Sequence, residues 1–236
     1  PIDCEAFMKD NSGKYVKYLW DPNSYINIMV YNFTTEPNSN SVTLGISHIP
    51  FSTTGKHYLE GLGETDYSHL TLANLQFPLS VSINSLYINE ESTPTEYSTA
   101  DIAVTLAHEL GHYLGLHHVF AETDNGTCED TDYCKDTKSY NKQEYDSKCD
   151  YIYENEREKY TFKNVVKRTG CDGIEFISYN IMDYAISYSN QFTQNQRERI
   201  RHVLSYSPLI PGPKKGDIDT RALNEGPLDL PIRTIK

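Results

Sequence analysis

The chain has 236 residues, with 21 Lys and Arg against 33 Asp and Glu, for a formal net charge of −12. That length suits one domain with a sizeable core, and the acidity argues against nucleic acid and anionic membrane surfaces as partners. No apolar run approaches the roughly 18 residues a membrane-spanning helix needs.

The chain begins at Pro1 without an initiator methionine or a signal peptide, the form expected of a processed or truncated product. Cys4 follows Pro1-Ile2-Asp3, which is not a lipidation box. Residues 25–33 alternate in strand-forming residues and predict a first strand. Residues 42–47 predict a second strand, closed by Pro50, and 52–70 reads as loop. Residues 79–88 alternate again and predict a third strand. We expect 81–88 to be the sheet edge along which an extended peptide pairs. Strands followed by a long helix indicate an α/β (α+β) fold, with helices packed on a sheet.

The helix opens at Ser98-Thr99-Ala100-Asp101, whose side chains suit a cap. Ile102, Ala103, Leu106, Leu110, Tyr113 and Leu114 follow at helical spacing, with Leu106 and Leu110 as core anchors. His108 and His112 are four residues apart and so share one helix face. Two imidazoles so placed can bind one metal ion, and Glu109 between them can serve as a general base. Gly115 permits a left-handed turn, after which three residues bring His118 back as a third ligand. Three protein ligands leave the fourth position of a zinc ion open, the mark of a catalytic site. Five such fixed positions match by chance in on the order of 10⁻⁵ of chains this long. His117 adjoins the set, but the spacing selects His118. His48, His57, His69 and His202 lack partner spacing.

Beyond His118, residues 121–150 read as loop, with Thr123-Asp124-Asn125-Gly126 as a turn signal. Glu129, Asp130, Asp132 and Asp136 form an acidic cluster; Asp130, Asp132 and Asp136 are the candidates for a calcium ion, with a solvated loop as the other reading. Cys128, Cys134, Cys149 and Cys171 fall in a segment with little apolar periodicity. Two disulfides among these four would order it and imply an exported protein. Their pairing stays open, and a second zinc site is the competing use of these cysteines. Residues 193–205 predict a closing helix capped by Thr193, with Ile200, Val203 and Leu204 inward. From Ser207 onward, prolines and glycines predict an extended tail.

The spacing from His108 to His118 resembles the signature of the metzincin zinc endopeptidases. Asn180-Ile181-Met182-Asp183-Tyr184 is similar to that clan's methionine turn. Phe192 to Ile200 and Asp136-Thr137 resemble the pappalysin (cytophagalysin-like) branch, and the chain as a whole resembles bacterial zinc-dependent metalloproteinase lipoproteins. Val119 and Lys138 depart from the branch, which usually has threonine and proline at those places. The resemblance implies a single catalytic domain with an upper subdomain (1–116) of twisted mixed sheet and helices. An irregular lower subdomain (117–207) and a tail (208–236) would follow. It implies zinc on His108, His112 and His118, with Met182 as a base beneath the metal and Tyr184 stabilising the tetrahedral intermediate. The expected substrate is a protein or peptide held extended in a cleft. The expected form is an exported monomer: extracellular, periplasmic or cell-surface, including anchoring by a lipid carried on a segment outside this chain. Two other readings stay open: a catalytically silent binding or adhesion module stapled by metal, and a zymogen-like form inhibited by its tail.

Overall fold

A computed structural model describes residues 2–34, 42–93, 96–122, 126–184, 186–215 and 226–236. In chain order the elements are α1 (Cys4–Met8), β1 (Ile28–Tyr31), β2 (Gly45–His48), β3 (Phe51–Thr53), β4 (Gly63–Thr65) and β5 (Val81–Asn84). There follow α2 (Ile102–Tyr113), α3 (Lys142–Asn155), α4 (Phe162–Val165), β6 (Lys167–Thr169), β7 (Glu175–Ile177), α5 (Gln194–Tyr206) and β8 (Thr234–Ile235). The chain divides into two compact units, Pro1–Gly115 with Glu198–Lys236, and Leu116–Arg197.

The first unit is built on a four-stranded sheet in the order β1-β5-β2-β8. β1 runs parallel to β5, and β2 is antiparallel to both β5 and β8. β5 is therefore an interior strand, which corrects the expectation that 81–88 forms the edge. All four of its residues are buried, and the strand stops where the Asn84 side chain accepts from Leu86 N (3.2 Å) and starts a tight turn at Ser85–Tyr87. Residues 52–70 are also more ordered than expected. β3 and β4 pair in parallel there, because Phe51 and Leu62 supply buried anchors that the glycines had masked.

The helix α2 starts where Asp101 Oδ1 accepts from Ala103 N (2.9 Å) and Val104 N (3.2 Å). Asp101 is thus the cap itself. Ile102, Leu106, Leu110 and Leu114 pack, partly buried, against a core of Phe51, Leu70, Phe77, Leu79, Val81 and Val203, among others. Tyr113 is fully buried in that core. Gly115 ends the helix at φ +90°, where a Cβ would also lie 2.7 Å from Val203 Cγ2. Both the backbone angle and the space therefore call for glycine. On α5, Thr193 Oγ1 accepts from Gln196 N (3.2 Å) while Gln196 Oε1 accepts from Thr193 N (2.9 Å), a reciprocal capping box.

The tail is extended but not loose. Leu209, Ile210 and Leu230 are buried, and β8 pairs with β2. Leu228, Leu230 and Ile232 alternate with exposed residues, a strand pattern that outweighs the neighbouring Pro227 and Pro231.

In the second unit, α3 corrects the loop expected over 121–150. Asn141 caps it by accepting from Glu144 N (3.0 Å), and Tyr145 and Cys149 lie one turn apart on the inner face. The anchoring residues of this helix are a tyrosine and a cysteine, so it carries no aliphatic stripe. Cys128 and Cys171 form a disulfide that closes a 43-residue separation. Cys134 and Cys149 are buried and outside any disulfide, so a second bridge is not formed. Cys134 sits in a tight turn with its backbone N bonded to Asp132 Oδ1 (2.9 Å), whereas Cys149 faces Tyr145 along α3. The turn expected at Thr123-Asp124-Asn125-Gly126 lies largely outside the described residues.

Candidate metal centre

One continuous segment, 108–118, carries the three candidate ligand histidines. His108 and His112 stand on successive turns of α2 with ring centroids 4.7 Å apart and Nε2 atoms 3.1 Å apart. His118 lies just past the Gly115 turn, and one nitrogen from each of the three rings falls within 4.8 Å of the others. Two nitrogens at 2.0–2.1 Å from a shared tetrahedral zinc would be about 3.4 Å apart, so the donor set fits that ion. Among the described residues no other group of His, Cys, Asp or Glu converges in this way.

Glu122 sets the tautomer of the third ring. Its Oε1 lies 3.0 Å from His118 Nδ1 and also accepts from the His118 backbone N (3.1 Å). A carboxylate on Nδ1 holds the proton there and leaves Nε2 as the electron-pair donor. Sequence spacing did not single out Glu122, although carboxylate support of a ligand histidine is a common arrangement.

Glu109 is 3% exposed, and its Oε2 has no hydrogen-bond partner among the described residues. Burial pushes its carboxyl well above the usual carboxylate range. A buried carboxyl without a structural partner lowers stability, and such groups cluster at functional sites. The neighbouring β2 makes room for it. A Cβ at Gly45 would lie 2.5 Å from Glu109 Cγ and 2.7 Å from Oε1. Gly45→Ala is therefore expected to swing the Glu109 side chain and reduce peptide hydrolysis by about tenfold or more, with metal content unchanged. Steady-state kinetics beside metal analysis would check this; wild-type turnover in the variant would contradict it.

The second unit gathers the other candidates around His118. Its ring stacks on Phe120 (4.7 Å, 9°) and meets Tyr184 edge to face (4.6 Å). Val119 N donates to the Met182 carbonyl (3.2 Å), and Met182 is fully buried. The turn at 180–184, the candidate methionine turn, is held by Asn180, whose Oδ1 accepts from Met182 N (2.8 Å) and whose amide pairs reciprocally with that of Gln196.

The residue between Met182 and Tyr184 was missed by sequence reasoning. Asp183 and Arg168 form an ion pair at 3.2 Å with both side chains at 0% exposure. Asp183 also accepts from Tyr140 Oη (2.6 Å) and from Ser178 Oγ. Arg168 donates to the carbonyls of Val165 and Ile186 (both 2.8 Å), and its guanidinium covers the Tyr145 ring at 3.8 Å. No local spacing links position 168 to 183, so only the fold could reveal the pair.

The expected calcium site is not supported. Asp130 Oδ1 accepts from Asp132 N (3.3 Å), Asp132 Oδ1 from Cys134 N (2.9 Å), and Asp136 Oδ2 from Asn195 N (2.9 Å). Asp130 and Asp132 lie beside one another, but among the described residues the three carboxylates do not converge on one point. His48 is buried in hydrogen-bond contact with Ser80 and with the Met8 carbonyl, and burial lowers its pKa to about 4, so it is a neutral core residue. His57 stacks on Tyr206 (3.8 Å), and His202 contacts the His57 carbonyl (2.8 Å).

Residues 10–205 match the model of the peptidase M43 family described as pregnancy-associated plasma protein-A. An extracellular metalloprotease of Arthroderma benhamiae is 37% identical over 97 residues, covering 41% of this chain and 29% of that protein. An extracellular metalloprotease of Arthroderma otae is 38% identical over the same length, with the same coverage. The chain thus spans 29% of the length of the curated relatives it matches. Among solved structures, mature mirolysin of Tannerella forsythia in complex with a cleaved peptide aligns with a TM-score of 0.47 and 22% identity. That alignment covers 82% of this chain and 58% of the other. With a family match over residues 10–205, the chain belongs to the peptidase M43 family, the pappalysin-like metzincins.

Proposed function

We propose that this chain is a zinc-dependent endopeptidase that hydrolyses peptide bonds in exported proteins or peptides. The observation that carries the reading is the pairing of three convergent imidazoles with a buried carboxyl, Glu109, whose Oε2 has no hydrogen-bond partner. His108, His112 and His118 would hold the ion. Bound there, zinc would polarise the scissile carbonyl and lower the pKa of a water towards about 7. Glu109 takes a proton from the attacking water and passes it to the leaving amine. Tyr184, edge-on to His118, donates a hydrogen bond to the oxyanion as it forms. Met182, fully buried and tied through its carbonyl to Val119 N beside His118, would form the hydrophobic base of the site.

The substrate backbone lies extended beside Glu109 and the three histidines, the arrangement in which a peptide can offer its scissile carbonyl to the site. A cavity of about 230 Å³ lined by Val119, Phe176, Ser178, Asn180, Gln191 and Thr193 is the candidate receptor for a substrate side chain. Asp136 and Lys138 also line it, so charge could contribute to selection. The Cys128–Cys171 disulfide and the extracellular relatives support export. A silent, metal-stapled module would have no use for an unpartnered buried carboxyl, which favours the enzyme reading.

The test is peptide-library cleavage before and after chelation. Activity should vanish on metal removal and return with stoichiometric zinc. Cleavage that survives complete metal removal would sink the proposal, as would its absence from the zinc-loaded chain.

A further inference from the structure

The first turn of α3 places a cation against the aromatic groups around His118. Asn141 fixes the start of that helix by accepting from Glu144 N (3.0 Å), so Lys142 is its first residue. This end of a helix carries the positive pole of the backbone dipole and disfavours a further positive charge. The ammonium is nonetheless held there. Asp146, one turn along the same face, pairs with it. Lys142 Nζ also lies over two rings, 5.2 Å from the centroid of Tyr184 and 5.8 Å from that of Phe120. Both distances fall within the roughly 6 Å over which a ring quadrupole attracts a cation. Only 27% of the Lys142 side chain is exposed, and partial loss of hydration strengthens that attraction.

The two rings belong to the candidate site. Phe120 and Tyr184 meet edge to face (4.9 Å), and each packs on the His118 ring. The main chain of Tyr184 is fixed, since its N donates to Asp183 Oδ1 (2.7 Å). That bond leaves the side-chain torsions free, and the position of the phenol hydroxyl depends on them. A charge drawn to the ring face favours the rotamer that keeps the ring beneath it. Lys142, Asp146, Phe120, His118 and Tyr184 all lie in one compact unit.

We propose that Lys142 is a positioning residue for peptide hydrolysis and acts through Tyr184. The inference rests on the proposed role of Tyr184 as oxyanion donor. Lys142 holds the phenol ring in the orientation from which its hydroxyl donates, so the donor is in place before the oxyanion forms. No bond to Lys142 forms or breaks, and its proton stays on the ammonium. An interaction that helps only the transition state appears in kcat and leaves KM alone.

The test compares zinc-loaded wild type with Lys142→Met, which keeps an apolar stem, and Lys142→Arg, which keeps the charge. Each is made with and without Tyr184→Phe. Lys142→Met should lower kcat about five- to tenfold, the worth of one partly desolvated cation–π contact, with KM within about twofold. Lys142→Arg should stay within about twofold of wild type, because a guanidinium also stacks on aromatic faces. In the Tyr184→Phe background Lys142→Met should change kcat less than about twofold, since the hydroxyl it positions is gone. Thermal melting and zinc content confirm that each variant is folded and loaded. NMR of isotope-labelled tyrosine rings reads the contact without turnover: the signals missing from Tyr184→Phe should move in Lys142→Met. Wild-type kcat in folded Lys142→Met, or an equal fall in both backgrounds, would overturn the positioning role. An equal loss in the Met and Arg variants, or Tyr184 signals that stay in place, would overturn it too. No hydrolysis by the zinc-loaded wild type, with those signals still moved by Lys142→Met, would defeat the peptidase reading and leave the ring contact standing.

Discussion

Replacing Glu109 by Gln should lower kcat for peptide hydrolysis by about 10²–10⁴-fold while the chain still binds one zinc ion. That range is what a positioned general base contributes. The candidate ligand set consists of three histidines, so the carboxyl can go without loss of a donor. The substitution nearly preserves volume, which keeps the space beside Gly45 filled. Stability should hold or rise, because the wild-type carboxyl is buried with an unsatisfied Oε2. Zinc content by atomic absorption, kcat on one cleaved peptide, and thermal melting together decide the matter. Full activity in a zinc-loaded variant would end the general-base assignment. Loss of both zinc and activity would instead make Glu109 part of the metal-holding structure.

Arg168→Met should destabilise the chain by roughly 3–5 kcal/mol, the penalty for leaving one member of a buried ion pair without the other. Asp183 would keep only Tyr140 and Ser178 as side-chain donors, in a site with no solvent access. The carbonyls of Val165 and Ile186 would also lose their guanidinium donors. Because Asp183 lies between Met182 and Tyr184, activity should fall in conditions where the variant is still folded. Urea denaturation with and without Asp183→Asn gives the coupling between the two residues. A loss below about 1 kcal/mol would show that the pair contributes no more than an ordinary surface contact.

The two effects differ in kind. Glu109 is buried with an unsatisfied Oε2, which works against stability, whereas Arg168 and Asp183 compensate one another. Both lie in the interior, and exposure alone does not separate them. Their hydrogen-bond partners do.

The helix with its two histidines, the glycine turn and the third histidine were legible in the sequence because each depends on local geometry. Four-residue spacing places His108 and His112 on one face whatever surrounds them, and Gly115 declares a left-handed turn by its own φ freedom. The caps at Asp101 and Thr193 are equally local. The resemblance of 180–184 to a methionine turn is likewise carried by five consecutive residues.

What needed the tertiary structure was everything fixed by partners distant in the chain. Alternation showed that 81–88 contains a strand, yet an edge and an interior strand read alike until their neighbours are known. β8 and β2 meet across nearly 190 positions of sequence, so a segment marked by prolines and glycines proved to be part of the sheet. Which cysteines pair, whether three aspartates converge, and that Arg168 finds Asp183 are likewise facts of three-dimensional proximity. The sequence alone thus determined which histidines of 108–118 come together as a candidate ligand set, because spacing on a helix and one glycine turn are enough to present it. Only the tertiary structure decided that β2 lies against Glu109 and that Thr234 and Ile235 pair with that strand, because long-range pairing leaves no local periodicity.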